Sequence, residues 1–389
     1  MHIAYTDEQL ALRDELRSYY DKLLTDDVRD ALHEEHGCGP VTRQTVKQMA
    51  ADGWLGIGWP KEYGGQGRDQ FDQFIFYDES MRSGAPVPTL TVNTVGPTIM
   101  QFGTEEQKAF FLPRILAGDL HFCIGYSEAE AGTDLASLTS RAVRDGDEWV
   151  VNARKMWTSL AGDADYCWLA VRTNPEASKH KGISIMAVDM KSAGITVNPL
   201  HLMAMHDINE TVFEDVRVPD ANLVGGEGGG WNLIVNQLNH ERVTLLSPGL
   251  LEQSYTEVRR WAQETRDADG KRHIDNEWVQ VNLARVHAGL EFLRLENWKV
   301  AAADEMDVAT ASVVKTFGSE FFVEAFRLLM EVIGPRAYLQ RGSKAATLNG
   351  RLEANYRSLL ILTFGGGTNE IQRDLIAMFG LGMPRAIRS

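Results

Sequence analysis

"GYSEAEAGTDLASLTSRAVRDGDEWVVNARKMWTSLAGDADYCWLAVRT", residues 125–173, decides the fold. Inside it "EWVVNARKMW" (148–157) and "DYCWLAVRT" (165–173) are rich in β-branched and aromatic side chains. Asp145-Gly146 marks a turn ahead of the first run. The same texture extends to both sides. "FCIGYS" (122–127) precedes it, and "GISIMAVDM" (182–190), "GITVNPL" (194–200) and "NETVFEDVRVP" (209–219) follow, with Lys181-Gly182 as a further turn. A run of strands of this kind predicts an all-β domain.

Outward from it, the pattern becomes helical on both sides. Thr6 and Gln9 form a capping box, Tyr5 is placed to staple onto Leu10, and Leu10, Leu16, Tyr20 and Leu23 or Leu24 share one apolar side. "GWPKEYGGQG" (58–67) is a Pro/Gly-rich loop, and helical patterning resumes through about Leu120. After "GGEGGG" (225–230), which reads as a domain junction, helical periodicity holds almost to the end. The expected architecture is therefore α+β and multidomain. A helical domain spans 1–120, a β domain 121–229 and a second helical domain 230–389. No internal repeat is evident.

Composition narrows the partners. The 389 residues carry 39 Lys plus Arg against 54 Asp plus Glu, a net charge of −15, which argues against nucleic acid or an anionic membrane surface. Cys38, Cys123 and Cys167 stand apart, without the spacing of a zinc site or a disulfide framework. "MHIAYTDEQLALRDEL" lacks the apolar core of a signal peptide, and no apolar run is long enough to span a bilayer. The expected location is the cytoplasm.

"TFGGGTNEIQRD" (363–374) first suggests a phosphate turn, because an apolar run leads into Gly365, Gly366 and Gly367. A dinucleotide fingerprint, however, needs glycine where Glu370 stands, and an acidic residue about 20 positions further on. The sequence given ends at Ser389. "GGEGGGW" lacks the Lys-Ser/Thr of a P-loop. His201, His206 and Asp207 lack zinc spacing, so no metal is expected.

In "WNLIVNQLNHERVTLLSPG" (231–249), Trp231, Ile234, Leu238 and Leu245 form an apolar stripe at helical spacing. Glu241 falls along that stripe and Arg242 at its edge, with Pro248 ending or kinking the helix. A carboxylate there must be paired, hydrogen-bonded or raised in pKa. It is either a structural partner of a helix end or a general base in a water-poor pocket.

Residues 125–173 closely resemble the flavin-binding signature of the acyl-CoA dehydrogenase family. "LNHERV", "FEDVRVP" and "GGTNEIQRD" match further family motifs in the right order, so the resemblance covers essentially the whole chain. It implies a helical domain, a β-barrel-like domain and a C-terminal four-helix bundle. It also implies FAD as cofactor and α,β-desaturation of an acyl-CoA thioester, with electrons passing to an electron-transfer flavoprotein. By position, Ile124, Tyr126 and Ser127 are implied at the flavin ring, with Trp157 packed on it and Thr158 and Ser159 at its polar edge. Thr133 and Asn239 fall at the thioester or pantetheine, Arg242 in the substrate channel, and Thr368 and Glu370 on FAD. Many members carry the catalytic base where this chain has Gly366. Long-chain and isovaleryl-type members carry it where this chain has Glu241, so the resemblance assigns the base to Glu241 and leaves the Gly366 N–H to the thioester oxygen.

The chain also departs from the family. Where members carry Arg-x-x-Phe-Gly, "RDADG" (266–270) keeps Arg266 and Gly270 but has Asp269. "EVIGPRA" (331–337) has Glu331 and Pro335 where Gln and Gly are usual, and Ala129 replaces a preferred Pro. Acidic residues beside a pyrophosphate are unfavourable. These changes imply a related but different chain that supplies FAD phosphate contacts. "GWPKEYGGQGR", "IGYSEAEAGTDLA" and "ILTFGGGTNEIQRD" resemble actinobacterial steroid side-chain acyl-CoA dehydrogenases, which are α2β2 heterotetramers; a bulky sterol-derived acyl-CoA is the implied substrate. A non-catalytic, acyl-CoA-binding subunit and an acyl-CoA oxidase remain as alternatives.

Overall fold

The computed structural model describes residues 3–35, 39–203, 208–244, 246–303 and 307–385, and the side chains of all of these except 239–244. The N-terminal helices are α1 (Asp7–Leu23), α2 (Asp26–Glu35), α3 (Pro40–Ala51), α4 (Gln70–Ser83), α5 (Gly96–Phe102) and α6 (Glu105–Leu116). The strands are β1 (Phe122–Gly125), β2 (Arg141–Asp145), β3 (Glu148–Ser159), β4 (Tyr166–Arg172), β5 (Ile183–Asp189), β6 (Ile195–Leu200), β7 (Ile208–Pro219) and β8 (Leu223–Val224). The chain then returns to helix in α7 (Gly230–Thr244), α8 (Gly249–Glu264), α9 (Glu277–Ala301), α10 (Val308–Ile333), α11 (Arg351–Leu359) and α12 (Asn369–Leu375). The helical, β, helical order read from the sequence is the observed one.

Local chemistry starts the elements as expected. The Thr6 hydroxyl accepts from Gln9 N–H at 3.2 Å, and the Gln9 amide oxygen accepts from Thr6 N–H at 2.9 Å. Leu12, Leu16 and Tyr20 bury one side of α1. The Tyr5 ring lies 4.6 Å from Trp298 of α9 and 5.9 Å from Phe71 of α4, so it links the two helical bodies. A short π-helix, Leu90–Val95, interrupts the N-terminal body just before α5.

The strands form one mixed sheet in the order β6-β7-β3-β2-β4-β5-β8, with β1 paired parallel to β4. Both faces are covered. Trp168 and Ala170 of β4 and Ile183, Ile185 and Ala187 of β5 pack with the N-terminal helices and with Leu233 and Ile234 of α7. Their alternates Cys167, Leu169, Val171, Met186 and Val188 pack with Val151, Phe213 and Val216 on the other face. Strands buried on two faces read as continuous apolar runs, which is how β4 and β5 appear in the sequence. A third core joins α8, α9 and α10 through Val258, Leu290, Leu293, Phe322 and Phe326. Gly230 opens α7 where an added Cβ would meet the Ser184 backbone at 2.8 Å, so the glycine-rich junction lets the helix start directly against β5.

Candidate active site

Strand β3 builds one wall. Trp149, Val151, Ala153 and Lys155 point inward in strict alternation. Trp157 would follow them, but a bulge intervenes. Lys155 is opposite Thr211 on β7 while Thr158 is opposite Asn209, so β3 spends one more residue than its partner. The phase flips. Trp157 is left 56 % exposed with φ +63°, a left-handed conformation that a bulky side chain rarely takes.

A buried ion pair holds this geometry. Lys155, 0 % exposed, donates from Nζ to Glu128 Oε1 at 2.8 Å and to the Tyr126 carbonyl at 3.1 Å. Glu128 also accepts from Thr139 N–H at 2.7 Å, Thr139 Oγ1–H at 2.8 Å and Ser140 N–H at 3.0 Å. Burial alone would raise the Glu128 carboxyl, but Lys155 and these donors outweigh it and hold it at about 2. Burial draws the Lys155 ammonium below its ordinary value despite Glu128, because a fully enclosed ammonium loses more hydration than one carboxylate returns. The pair clamps the end of β1, with Ile124, and the segment after it, with Tyr126 and Ser127, onto the strand that carries Trp157. Met156 N–H adds a bond to the Ser127 carbonyl at 2.8 Å.

The structure thus brings Ile124, Tyr126, Ser127 and Trp157 to one corner of the sheet. Among the described residues, the Ser127 and Ser159 hydroxyls have no hydrogen-bond partner, and both residues are half-exposed. Thr158 is a correction to the sequence reading. It is wholly buried, and its hydroxyl lies 3.2 Å from Thr211 Oγ1 inside the sheet, because the bulge that turns Trp157 out turns Thr158 in. Only Ser159 of that pair presents a hydroxyl outward. The Tyr126 OH donates to Gln237 Oε1 of α7, and Thr133 is exposed on the loop beyond Glu128.

On α7 the buried face is centred on Leu233, Ile234 and Gln237. This corrects the stripe by one position, with Trp231 and Leu238 half-exposed at its edge and Leu245 outside the described residues. Asn239, Glu241 and Arg242 lie on the described backbone of α7, with side chains outside the described residues. One turn separates Gln237 from position 241.

The glycine stretch forms a tight turn into α12. Gly365 N–H donates to the Ile361 carbonyl at 2.7 Å, and Gly366 and Gly367 take φ +67° and +93°. The Gly366 N–H donates to no acceptor among the described residues. Thr368 caps α12 by accepting from Ile371 N–H at 3.3 Å. Exposed Glu370 is held below the usual carboxylate range by its own backbone N–H and by the Thr368 hydroxyl. Asn369 ties the turn to α10, accepting from Lys315 Nζ at 2.7 Å.

The expected phosphate end is different in kind. Arg266 donates to the carbonyl of Gly270 at 2.9 Å, in a loop where Asp267 accepts from Asp269 N–H at 3.0 Å and Lys271 N–H at 2.9 Å. Glu331 is paired with Arg327 and accepts from Asn282 Nδ2 at 3.2 Å. A flavin ring is matched by an outward aromatic and two free hydroxyls beside a fixed backbone. A pyrophosphate meets one guanidinium already bonded to its own loop, with two aspartates beside it. Among the described residues no group of three His, Cys, Asp or Glu side chains could hold a metal ion; His206 and Asp207 are outside them. No helix among them is long and apolar enough to cross a membrane.

Sequence reasoning passed over Lys155, Glu128 and Gln237. The signal was present for Lys155, a charged residue at an inward position of an alternating strand.

Comparison with known proteins covers the whole architecture. Residues 6–119 match the acyl-CoA dehydrogenase N-terminal domain, 123–216 the middle domain and 228–381 the C-terminal domain. The chain is 58 % identical to acyl-CoA dehydrogenase FadE26 of Mycobacterium tuberculosis, across all of both chains. It superposes on a chain of the crystal structure of the ChsE4-ChsE5 complex from M. tuberculosis with a TM-score of 0.94, at 58 % identity, covering 99 % of this chain and 100 % of that one. A structure of the Tcur3481-Tcur3483 steroid acyl-CoA dehydrogenase gives a TM-score of 0.94 at 46 % identity, with the same coverage.

Proposed function

The chain belongs to the acyl-CoA dehydrogenase family, and we propose from that premise that it is a working α,β-desaturase of a bulky, sterol-derived acyl-CoA. The observation that carries this reading is Trp157. A strained, outward indole, fixed by a buried ion pair next to two unpartnered hydroxyls, is a platform kept for a planar ring. A chain that retained the fold without its chemistry has no reason to hold that strain.

Trp157, Ile124, Tyr126, Ser127 and Ser159 would hold the isoalloxazine of FAD. FAD, when bound, supplies the acceptor for the substrate β-hydride. The protein's own part is proton chemistry and orientation. Glu241, on the helix behind Tyr126, takes the α-proton; a water-poor pocket raises its basicity. The Gly366 N–H is free to donate to the thioester oxygen, where enolate charge develops. Thr133, Asn239 and Arg242 line the path of the CoA thioester, and Thr368 and Glu370 meet the cofactor from the α12 side.

Arg266, occupied in its own loop, supports a second, paralogous chain as supplier of phosphate contacts in an α2β2 assembly. Two of the chains of known structure that it resembles come from structures named for two proteins, ChsE4-ChsE5 and Tcur3481-Tcur3483. Three domains at 1–120, 121–229 and 230–389, a cytoplasmic setting and electron-transfer flavoprotein as acceptor complete the proposal.

The test is co-expression with candidate paired chains, then flavin bleaching across straight-chain, branched and steroid acyl-CoAs. Glu241→Gln should retain FAD and abolish bleaching; unchanged turnover removes Glu241 from the mechanism. A variant-insensitive complex points to a non-catalytic subunit. Fast reaction of the reduced flavin with oxygen points to an oxidase. Stoichiometric FAD in a homotetramer of this chain alone overturns the partner assignment.

A further inference from the structure

The segment joining α7 to α8 is pinned by two other helices. Asp78 of α4 sends its carboxylate into the corner, where Oδ1 accepts from the Ser247 hydroxyl and from Gly249 N–H at 2.9 Å. Asn297 of α9 reaches the same corner from another side, donating from Nδ2 to the Leu246 carbonyl at 3.2 Å and to the Leu293 carbonyl at 2.9 Å. All six residues that make these contacts are buried: Asp78, Leu246, Ser247, Gly249, Leu293 and Asn297.

The packing leaves no slack. An added Cβ on Gly249 would lie 2.2 Å from the Asp78 carbonyl oxygen, and one on Gly318 of α10 would lie 3.1 Å from Leu246 Cβ. The N-terminus of α8 has no capping side chain of its own, since Pro248 occupies the cap position. Asp78 supplies the shorter cap from a different helix, sharing the Gly249 N–H with the Ser247 hydroxyl, which accepts it at 3.2 Å.

We infer that Asp78 and Asn297 are positioning residues for the proton-abstracting group. Resting on the assignment of Glu241 as base, the inference is that the α7–α8 corner fixes the end of α7. Position 241 lies three residues before the end of α7 at Thr244, roughly 4.5 Å along the axis at ~1.5 Å rise each. A corner free to shift by an ångström or so would misplace the carboxylate by a comparable distance, and such errors slow positioned chemistry by ~100-fold.

The experiment uses the FAD-loaded complex with its paired chain, comparing Asp78→Ala, Asp78→Asn, Ser247→Ala and Glu241→Gln. Hydrogen exchange of peptides covering 232–252 is read beside flavin reduction by octanoyl-CoA, isovaleryl-CoA and a bile-acid CoA thioester. Asp78→Ala should speed exchange in that segment by about tenfold or more, leave 150–172 unchanged and lower kcat by about 10- to 100-fold at similar KM. Asp78→Asn keeps an acceptor oxygen and should restore kcat to within about threefold. Ser247→Ala, which removes one hydroxyl, should fall between them and serves if Asp78→Ala does not fold. Unchanged exchange in Asp78→Ala, or faster exchange with full flavin reduction, overturns the positioning role. Equal loss in Asp78→Ala and Asp78→Asn overturns it too. Full reduction by Glu241→Gln refutes the base assignment separately, because the exchange result does not depend on it.

Discussion

Replacing Lys155 by Met tests whether the buried pair holds the flavin wall. The substitution keeps most of the aliphatic stem but removes the charge from a residue with no solvent exposure. Glu128 then keeps only its Thr139 and Ser140 donors, and the Tyr126 carbonyl loses the 3.1 Å bond from Nζ. Breaking one side of a buried pair costs about 3–5 kcal/mol. A second route gives a smaller figure: lowering Glu128 from 4.5 to about 2 corresponds to ~3 kcal/mol, nearer ~2 after allowance for solvent at its open edge. Lys155→Met should therefore cost at least ~2 kcal/mol in urea unfolding followed by tryptophan emission at about pH 7.5. The double variant with Glu128→Gln should cost less than the two singles summed, by about 1–2 kcal/mol. The pH sign is fixed as well. Because folding lowers the Glu128 pKa, its contribution is complete above 4.5 and disappears as pH falls towards about 2. The gap to wild type should hold from about pH 7.5 to 5.5 and narrow below. Additive singles, or a Lys155→Met midpoint equal to wild type, would refute the clamp.

Other outcomes follow from single residues. Trp157→Asn relieves the φ +63° strain and should raise stability by about 1 kcal/mol while weakening FAD at least tenfold in a fluorescence titration; equal FAD affinity removes the platform role. Asp78→Asn isolates a group that burial pushes up to about 7 from 3.8, against the opposing Ser247 and Gly249 donors. The wild-type advantage over this variant is full below 3.8 and lost as pH rises through about 7, a change of ~4 kcal/mol at most, seen in urea midpoints across that range; a flat difference contradicts it. Gly366→Glu forces an L residue to φ +67°, costing ~1–2 kcal/mol in thermal unfolding, and should slow flavin reduction; full activity with unchanged substrate preference counts against the proposed division between Gly366 and Glu241. Gly249→Ala drives a methyl into the Asp78 carbonyl and should lower the melting temperature sharply.

Much of this was legible because local and tertiary signals agree. The Thr6 box, the Asp145-Gly146 turn and the doubly buried β4 and β5 carry their structure in their own residues. Strand β2 was not read, since only Ala142 of Arg141–Asp145 is buried and its pairing with β3 sustains it. The π-helix at Leu90–Val95 has no residue pattern of its own. In the site, the family motif pointed to Trp157, but which of Trp157 and Thr158 faces outward depends on a bulge set by the opposing strand. Lys155 and Asp78 were missed for a shared reason: their partners lie 27 and 169 residues away, at Glu128 and Ser247. A charge reads as surface until the fold brings its counterpart.

The bond from Tyr126 to Gln237 has a bearing on access. It couples the loop that would hold the ring to a point one turn from the proposed base, and both side chains are buried. A hinge that swung the sheet away from α7 to admit substrate would have to sever this buried bond. The bond therefore ties the Tyr126 loop to α7. On the proposed assignment of Glu241 as base, the spacing between α7 and the loop that would hold the ring is set when the chain folds, before any ligand arrives.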